Sequence, residues 1–199
     1  MARPREFDEE EVLARAMAQF WSSGYELTSV ADLEASTGLG RKSFYNAFGN
    51  KRTLFLSAID LFAAVAGERY LSVLEAKGAG LDAIESMMLR MLGDRETEEG
   101  ANGCLICHTS REPIARDPEV AIRVDKYFAR VEAAFAGAIR RELDRRGRDH
   151  GLVPELAELM TGVLASLGVL ARSPLRQGLL LSYVEQNLAH LRRRITAAE

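Results

Sequence analysis

One segment of this 199-residue chain, residues 28–55, limits the possible fold more than any other. It reads TSVADLEASTGLGRKSFYNAFGNKRTLF, in which two short amphipathic stretches flank a pair of nearby glycines. Ser29 is a good helix N-cap, and Gly38 can adopt the left-handed conformation that ends a helix. The pattern therefore predicts one short helix that ends before Gly38 and another that begins after Gly40. Two such helices joined by a glycine-containing turn are typical of a helix-turn-helix unit.

The second of these helices is predicted to have an apolar side and a cationic side. Phe44 and Phe48 are four residues apart, so both can turn inward. The outward side chains then offer positive charge to phosphates and hydrogen-bonding groups to base edges. The outward set comprises Arg41, Lys42, Ser43, Tyr45 and Asn46, and Lys51 and Arg52 follow shortly after it.

The chain on both sides of this segment is also predicted to be helical. Asp8 and Gly24 bracket a helix whose apolar residues recur at helical spacing. We expect Phe20 and Trp21 to pack between this helix and the two that follow. Beyond residue 50 the chain has helical periodicity almost throughout and no strand-like alternation, so the sequence predicts an all-α fold.

The charge of the chain limits how it can bind DNA. The formal net charge is −3, from 26 Lys and Arg against 29 Asp and Glu. Such a chain is not a non-specific nucleic-acid coat, so any DNA affinity has to come from a local patch. Residues 40–52 supply that patch, because they hold cations and no acid.

Residues 28–55 resemble the DNA-binding domain of TetR-family transcriptional repressors. The matching positions are Ser29, Leu33, Gly38-Leu39-Gly40, Phe44-Tyr45-Asn46-Ala47-Phe48, Lys51 and Leu54. The sequence departs from the family pattern at Glu34, Gly40 and Ala47, where Ala, Ser and His are usual.

The resemblance implies two domains: a three-helix helix-turn-helix DNA-binding domain at residues 1–50, and a helical ligand-binding and dimerisation domain at residues 51–199. It also implies a ligand-responsive repressor that binds a palindromic operator in double-stranded DNA as a homodimer. We expect the cations at phosphates, Ser43, Tyr45 and Asn46 at base edges or nearby phosphates, and the helix start at residues 28–29 on a phosphate. The predicted DNA-binding residues are Thr28, Ser29, Arg41, Lys42, Ser43, Tyr45, Asn46 and Lys51.

The resemblance further implies an effector site in the helical body. A small molecule or electrophile bound there would move the long helix that links the two domains, change the spacing of the two recognition helices and release the operator. The same residues at helical spacing would also suit an ordinary core. The candidate lining residues are Phe62, Met87, Met88, Met91, Cys104, Cys107, Tyr127, Phe128 and Phe135.

The last two predicted helices carry apolar residues on more than one face, so each has to bury a second face. In the resembling family this pair forms a two-fold four-helix interface, and burial of both faces within one subunit is the alternative. The candidate interface residues are Leu156, Met160, Val163, Leu167, Leu180, Tyr183, Val184 and Leu188.

The sequence Cys104-Leu105-Ile106-Cys107-His108 allows several interpretations. The C-x-x-C-H pattern is the attachment signature of c-type haem, but no export signal or second axial ligand accompanies it. Zinc would have three ligands here, with His150 and His190 distant in sequence. A thiol near a helix N-terminus can also act as a redox or electrophile sensor, and the segment resembles one with a reactive cysteine in some TetR-type repressors. Finally, both cysteines can be small core residues. A thiol-based redox or haem-carrying helical protein is thus the alternative function.

No motif of an enzyme, cofactor site or metal site stands out elsewhere. The chain has no Gly-rich phosphate loop and no H-E-x-x-H, and its three histidines are scattered. The N-terminal sequence lacks the apolar stretch of a signal peptide, and the apolar runs are too short to span a bilayer. We therefore expect a cytoplasmic, non-enzymatic protein without cofactor or membrane partner.

Overall fold

The computed structural model describes residues 8–97, 100–173 and 177–197, leaving aside the side chain of Gln177. All regular elements in these ranges are helical, which confirms the predicted all-α fold. The α-helices are α1 (Glu9–Ser23), α2 (Val30–Thr37), α3 (Arg41–Phe48), α4 (Lys51–Ala66), α5 (Ser72–Glu75), α6 (Leu81–Asp94), α7 (Leu105–Thr109), α8 (Pro118–Arg145), α9 (Val153–Leu170) and α10 (Gln177–Thr196). A π-helical turn (Gly67–Leu71) lies between α4 and α5, and short 3-10 turns (Gly100–Asn102 and Pro113–Arg116) flank α7.

The turn between α2 and α3 forms as local chemistry predicts. Ser29 caps α2, and Ser29 and Asp32 form a capping box in which each side chain accepts from the other residue's backbone N–H. Gly38 ends α2 with a φ of 73°, a left-handed conformation that glycine adopts without steric cost. Gly40 precedes α3 and provides no side-chain cap. α3 is therefore held by its packing rather than by a side-chain cap.

The N-terminal three-helix unit, α1–α3, is completed by the start of α4. Phe20 is fully buried, and its ring centroid lies 4.9 Å from that of Phe55. The Tyr25 ring lies 4.7 Å from the same phenyl group. The N-terminal unit therefore packs on α4 through these aromatic rings.

The helix that leaves the N-terminal unit runs from Lys51 to Glu75 and contains the π-helical turn. A Cβ on Gly67 would meet the guanidinium group of Arg130 on α8, so the glycine leaves room for that side chain. Arg130 donates from Nε and Nη2 to the two carboxylate oxygens of Glu75, at 2.9 and 3.0 Å. These contacts join the end of this helix to the body.

The body is organised around α8, which packs against α9 over much of its length. Its fully buried residues, among them Val131, Phe135 and Ile139, recur every three or four positions and form one inward stripe. Near the end of α8, Glu142 accepts hydrogen bonds from Arg145, Arg146 and the Leu81 backbone N–H, so α6 is attached to the same helix.

The assignment of most interface residues on α9 and α10 to a dimer contact was wrong. The sequence identified apolar residues without indicating which stripe faces α8, and the inward stripe was taken for the outward one. Six of the candidates are buried within the single chain: Leu156, Met160, Val163, Leu167, Leu180 and Val184. Tyr183 is 37% exposed and Leu188 is half-buried, so these two remain accessible to a partner.

The outer faces of these two helices carry a different set of residues. Leu159, Gly162 and Ser166 form an exposed to half-exposed stripe of mostly small residues along α9. On α10, Leu179 is 55% exposed and lies four residues before Tyr183. We call this surface the α9–α10 face.

Within the described ranges, one helix, α9, is long and apolar enough to cross a membrane by length and composition alone. Core helices of soluble proteins pass the same test, and the buried stripe of α9 packs against α8. Its apolar character is therefore accounted for by the protein core.

Candidate functional site

The outward face of α3 is accessible as the sequence predicts. Phe44 is fully buried and anchors the helix, and Phe48 is half-buried beside it with a ring-centroid distance of 6.1 Å. The exposed residues are Arg41, Lys42, Ser43, Tyr45 and Asn46. One side of a short helix thus presents two cations, a hydroxyl, a phenol and an amide, and no carboxylate.

Aromatic rings position two of the cations. The Arg41 guanidinium lies 6.0 Å from the ring centroid of Tyr45, and the Lys51 Nζ lies 4.1 Å from that of Tyr25. Cations on ring faces at these distances are attracted by the ring quadrupole. Lys51 is therefore half-buried on Tyr25 while its positive charge remains at the surface beside α3.

Arg52 does not belong to this cationic surface, contrary to the sequence prediction. Its Nε and Nη2 donate to the two carboxylate oxygens of Asp117 at 2.6 and 2.7 Å, and Glu119 lies 3.2 Å from Nη1. The Arg52 guanidinium holds the pKa of the Asp117 carboxyl at about 2, well below its usual value. Since Asp117 also caps α8, this ion pair joins the start of α4 to the body.

The predicted phosphate contact at the start of α2 is only partly supported. Thr28 is fully buried and its hydroxyl donates to the Gly24 carbonyl at 2.6 Å, so the prediction for its side chain was wrong. Ser29 is exposed, but its N–H and hydroxyl both donate to Asp32, at 2.8 and 2.7 Å. These hydrogen bonds lower the pKa of Asp32, so its carboxylate competes with any phosphate for the Ser29 donors.

A mostly apolar cavity of about 400 Å³ lies where the N-terminal unit meets the body. Its walls come from α1, α4, the π-helical turn and the end of α6. The helices α8 and α9 and the segment that precedes α7 complete them. The lining residues are Ala14, Met17, Ala18, Trp21, Phe62, Val65, Ala66, Arg69, Tyr70, Met91, Asp94, Arg95, Gly100, Asn102, Gly103, Cys104, Tyr127, Leu164, Leu167, Gly168 and Ala171.

Four of the nine predicted lining residues border this cavity: Phe62, Met91, Cys104 and Tyr127. The other five do not border it. Met87, Met88, Phe135 and Cys107 are core residues, and Phe128 is half-buried outside the cavity. A core and a pocket use the same residues at helical spacing, so the sequence pattern alone does not separate the two.

The two cysteines occupy different environments. Cys104 lines the cavity, whereas Cys107 packs into the core against Gly168 of α9, where an added Cβ would lie 2.8 Å from the Cys107 sulfur. Hydrogen bonding between the two thiols lowers the pKa of Cys104 and raises that of Cys107. Cys104 is therefore the more acidic thiol.

The haem and zinc interpretations gain no support from this geometry. The His108 Nε2 lies 3.0 Å from the Asn102 carbonyl and its ring is half-buried there, so it does not extend toward a common centre with the thiols. Among the described residues, no group of three His, Cys, Asp or Glu side chains could hold a metal ion.

Trp21 connects the N-terminal unit to the cavity, which the sequence did not indicate. Its indole Nε1 donates to the Gly103 carbonyl at 2.9 Å, and its ring meets Phe62 edge to face at 5.1 Å. The indole thus faces α4 and the segment before α7. The carboxylate of Glu112 adds a second connection, since it accepts from the backbone N–H groups of Tyr25 and Glu26 at 3.2 and 2.8 Å.

The charged wall of the cavity was also missed. Asp94 accepts from the Arg69 Nε and the Tyr70 hydroxyl, both at 2.9 Å. Arg95, only 9% exposed, donates to the carbonyls of Leu170 and Ala171 at 3.3 and 3.0 Å. The sequence around Arg95 is polar and has no apolar periodicity, so it predicts a loop. Nothing in that pattern indicates that the Arg95 side chain is buried.

Comparison with known proteins places these features in a family. The model of the family described as "Bacterial regulatory proteins, tetR family" matches residues 12–58. An uncharacterized HTH-type transcriptional regulator, YezE of Bacillus subtilis, is 31% identical over 194 residues, which is 96% of this chain and 100% of the relative.

Solved structures agree with this match. A cysteine variant of the TetR family transcriptional regulator CifR, complexed with 26-base-pair operator DNA, has a TM-score of 0.83 at 26% identity and covers 94% of this chain and 98% of its own. A TetR transcriptional regulator from Chloroflexus aurantiacus has a TM-score of 0.74 at 26% identity, and the match covers 94% of this chain and 93% of that structure's chain.

Proposed function

Because this chain belongs to the TetR family of bacterial transcriptional regulators, we propose that it is a repressor that binds its operator through α3 and leaves it when the cavity is occupied. The observation that carries the DNA-binding part is the exposed face of α3, which is cationic although the chain as a whole is acidic. On this proposal Arg41 and Lys42 contact phosphates, and Ser43, Tyr45 and Asn46 contact base edges or the phosphates beside them. Lys51 adds charge at the edge of the contact, and Ser29 contacts a phosphate when it releases Asp32.

We infer a homodimer formed through the α9–α10 face. Leu179 and Tyr183 place an aliphatic and an aromatic side chain on one exposed side of α10. On α9, Gly162 and Ser166 are small enough for another helix to approach closely. A two-fold axis there would present two copies of α3. A palindromic operator requires such a pair, because its two half-sites lie one helical turn of DNA apart. The protein would act in the cytoplasm, where its DNA is.

The location of the cavity supports a direct route from effector to DNA. Trp21 and Met17 of α1 line it together with Phe62 of α4, so a molecule inside contacts the N-terminal unit as well as the body. A ligand that presses on both Trp21 and Phe62 would tilt α1 together with α4, because the two helices pack through Phe20 and Phe55. The spacing between the two recognition helices of a dimer would then change.

A covalent form of the same response is a second candidate. Cys104 lines the cavity and its pKa is lowered by the neighbouring Cys107 thiol, so an electrophile that enters meets a thiol of increased acidity. This makes Cys104, rather than Cys107, the candidate sensor.

The test of the proposed function is a mobility shift with DNA from upstream of the protein's own gene, against unrelated DNA of equal length. We expect a shift that unrelated competitor does not abolish. The variants are Asn46→Ala on α3 and, as a control away from both α3 and the α9–α10 face, Lys126→Ala at an exposed position of α8; only the first should reduce the preference for upstream DNA. If upstream and unrelated DNA shifted equally at every protein concentration, operator binding at this locus would be contradicted.

A further inference from the structure

The polar wall of the cavity indicates what kind of molecule it binds. Among the described residues, its charged side chains are Arg69, Asp94 and Arg95. Asp94 is engaged by Arg69 and by the Tyr70 hydroxyl, both at 2.9 Å. The carboxylate charge of the wall is thus already matched, and Arg95 contributes an additional positive charge.

Arg95 is a buried cation without a matching anion among the described residues. It is 9% exposed, forms no ion pair with a described carboxylate, and its Nε is a buried donor with no hydrogen-bond partner among the described residues. A buried charge is costly unless it is paired, and an unsatisfied buried donor adds to that cost. Burial accordingly lowers the pKa of the Arg95 guanidinium, which nevertheless stays protonated at neutral pH.

The contacts that Arg95 does make fix it in place. Its Nη2 donates to the carbonyls of Leu170 and Ala171 at the end of α9. These hydrogen bonds satisfy helix carbonyls and hold the guanidinium at the cavity wall. A guanidinium held in this way is preorganised for a carboxylate, with which it forms short charge-assisted hydrogen bonds.

The rest of the cavity is suited to an apolar molecule. Trp21, Phe62 and Tyr127 provide aromatic surface, and Met17 and Leu164 provide aliphatic surface. Such a site, mostly apolar with few polar groups that fix orientation, is typical of small-molecule binding.

We propose that the cavity binds an organic carboxylate with an apolar, aromatic body, and that Arg95 holds its carboxylate group. This rests on the proposed function for the claim that the bound molecule is an effector, but the binding itself is independent of DNA. The carboxylate neutralises Arg95 and satisfies its free donor. A neutral molecule of the same shape leaves both unmatched and binds more weakly.

The chain contains its own reporter, because Trp21 is its one tryptophan and lines the cavity. The experiment titrates the full-length protein, without DNA, with phenylbutyrate and with its neutral isostere phenylbutyramide, and follows Trp21 fluorescence. We expect the acid to bind about tenfold more tightly than the amide, the gain typical of a hydrogen bond to a charged group.

Variants then identify the cation. Arg95→Gln should reduce the acid-to-amide ratio to about one, while Arg140→Gln, which removes an exposed cation from α8, should preserve it. Arg95→Lys keeps the charge and should retain part of the preference even if the end of α9 is disturbed.

Three results would overturn the proposal: equal binding of acid and amide by the wild type, an unchanged ratio in Arg95→Gln, or no saturable signal with the acid up to about 10 mM. The first and last need only the wild type, so they do not depend on a variant folding. If the acid binds through Arg95 and operator DNA stays bound, the ligand proposal stands and its role as an effector fails.

Discussion

The indole Nε1 of Trp21 donates a 2.9 Å hydrogen bond to the carbonyl of Gly103, a residue 82 positions further along the chain. Gly103 has a φ of 72°, and a Cβ there would meet the Gly168 carbonyl and lie 3.0 Å from the Ala171 Cβ. The hydrogen bond therefore ties α1 to a backbone segment that is itself pressed against α9. Arg172, just after α9, also donates to the Trp21 carbonyl, so the end of α9 and the end of α1 are joined by more than one hydrogen bond.

Replacement of Trp21 by Phe keeps a ring against Phe62 and removes the donor to Gly103. We expect the free energy of unfolding to fall by about 1–3 kcal/mol, because a partly buried carbonyl loses its partner and a smaller ring fills less space. Denaturant unfolding followed by circular dichroism measures it. Backbone amides near Cys104 should also exchange faster with deuterium. Unchanged exchange there would show that the hydrogen bond does not hold the segment.

Lys42→Ala tests the phosphate contacts of α3. Removal of this exposed cation should weaken binding to specific and unrelated DNA alike, and lower the salt slope of log K by about one unit for each recognition helix. The measurement is a series of fluorescence-anisotropy titrations at rising salt. Lys126→Ala, an exposed cation on α8, is the matched control and should leave the slope unchanged. An unchanged slope in Lys42→Ala would remove Lys42 from the phosphate contacts.

The Arg52–Asp117 pair makes stability depend on pH in a defined direction. The pKa of Asp117 is lowered to about 2, chiefly by its hydrogen bonds with Arg52, whereas an unfolded Asp has a pKa near 3.9. A lowered pKa adds stability at pH values above about 4, and this stability is lost as the pH falls from about 4 through 2. The melting-temperature difference between wild type and Asp117→Asn should therefore be larger at pH 6 than at about pH 2.

The control for this comparison is Asp125→Asn, because Asp125 is exposed on the same helix and forms no ion pair among the described residues. Its difference from wild type should be small at both pH values. If the Asp117→Asn difference were the same at both, its stabilising role would not come from the ionised carboxylate.

Glu34 stands where the family pattern usually has Ala, and its Oε1 is buried without a hydrogen-bond partner among the described residues. Glu34→Ala should raise the free energy of unfolding by about 1 kcal/mol, since it removes an unsatisfied buried oxygen and favours the helix. Glu185→Ala on the exposed side of α10 controls for helix propensity alone. A loss of stability in Glu34→Ala would mean that the carboxylate has a role in α2 that its surroundings do not reveal.

Cys104→Ser tests the covalent response. N-ethylmaleimide adds to a thiolate through its double bond, so we expect it to release operator DNA from the wild type and not from Cys104→Ser. Mobility shifts after treatment, with mass spectrometry to locate the adduct, measure both. Cys107→Ser should behave like the wild type, because Cys107 lies in the core and its pKa is raised. If N-ethylmaleimide released operator DNA equally from all three proteins, Cys104 would not be the sensor.

Features decided by neighbours in the chain were predictable from the sequence. The Ser29 cap, the Gly38 turn and the burial of Phe44 depend on residues at most a few positions apart, and all three occur. Features decided by distant partners were not. Arg52 looks like a free cation until Asp117, 65 residues away, is placed beside it.

The same limit explains the errors in the body. Periodicity identifies an apolar stripe but not the helix it packs against, so Met160 was assigned outward although it faces the core. Arg95 was missed for the converse reason, since burial of a charged side chain depends on surrounding elements that the local sequence does not specify.

The π-helical turn at Gly67–Leu71 limits how much the length of this helix can vary among relatives. A π turn accommodates one residue more than an α turn, so residues after Leu71 are rotated by about 100° from where an uninterrupted α-helix would put them. Deletion of one residue there would straighten the helix and turn Leu74, now fully buried, away from the core. Relatives with the same cavity should therefore tolerate insertions in the loops around it, but not a gain or loss of one residue between Lys51 and Glu75.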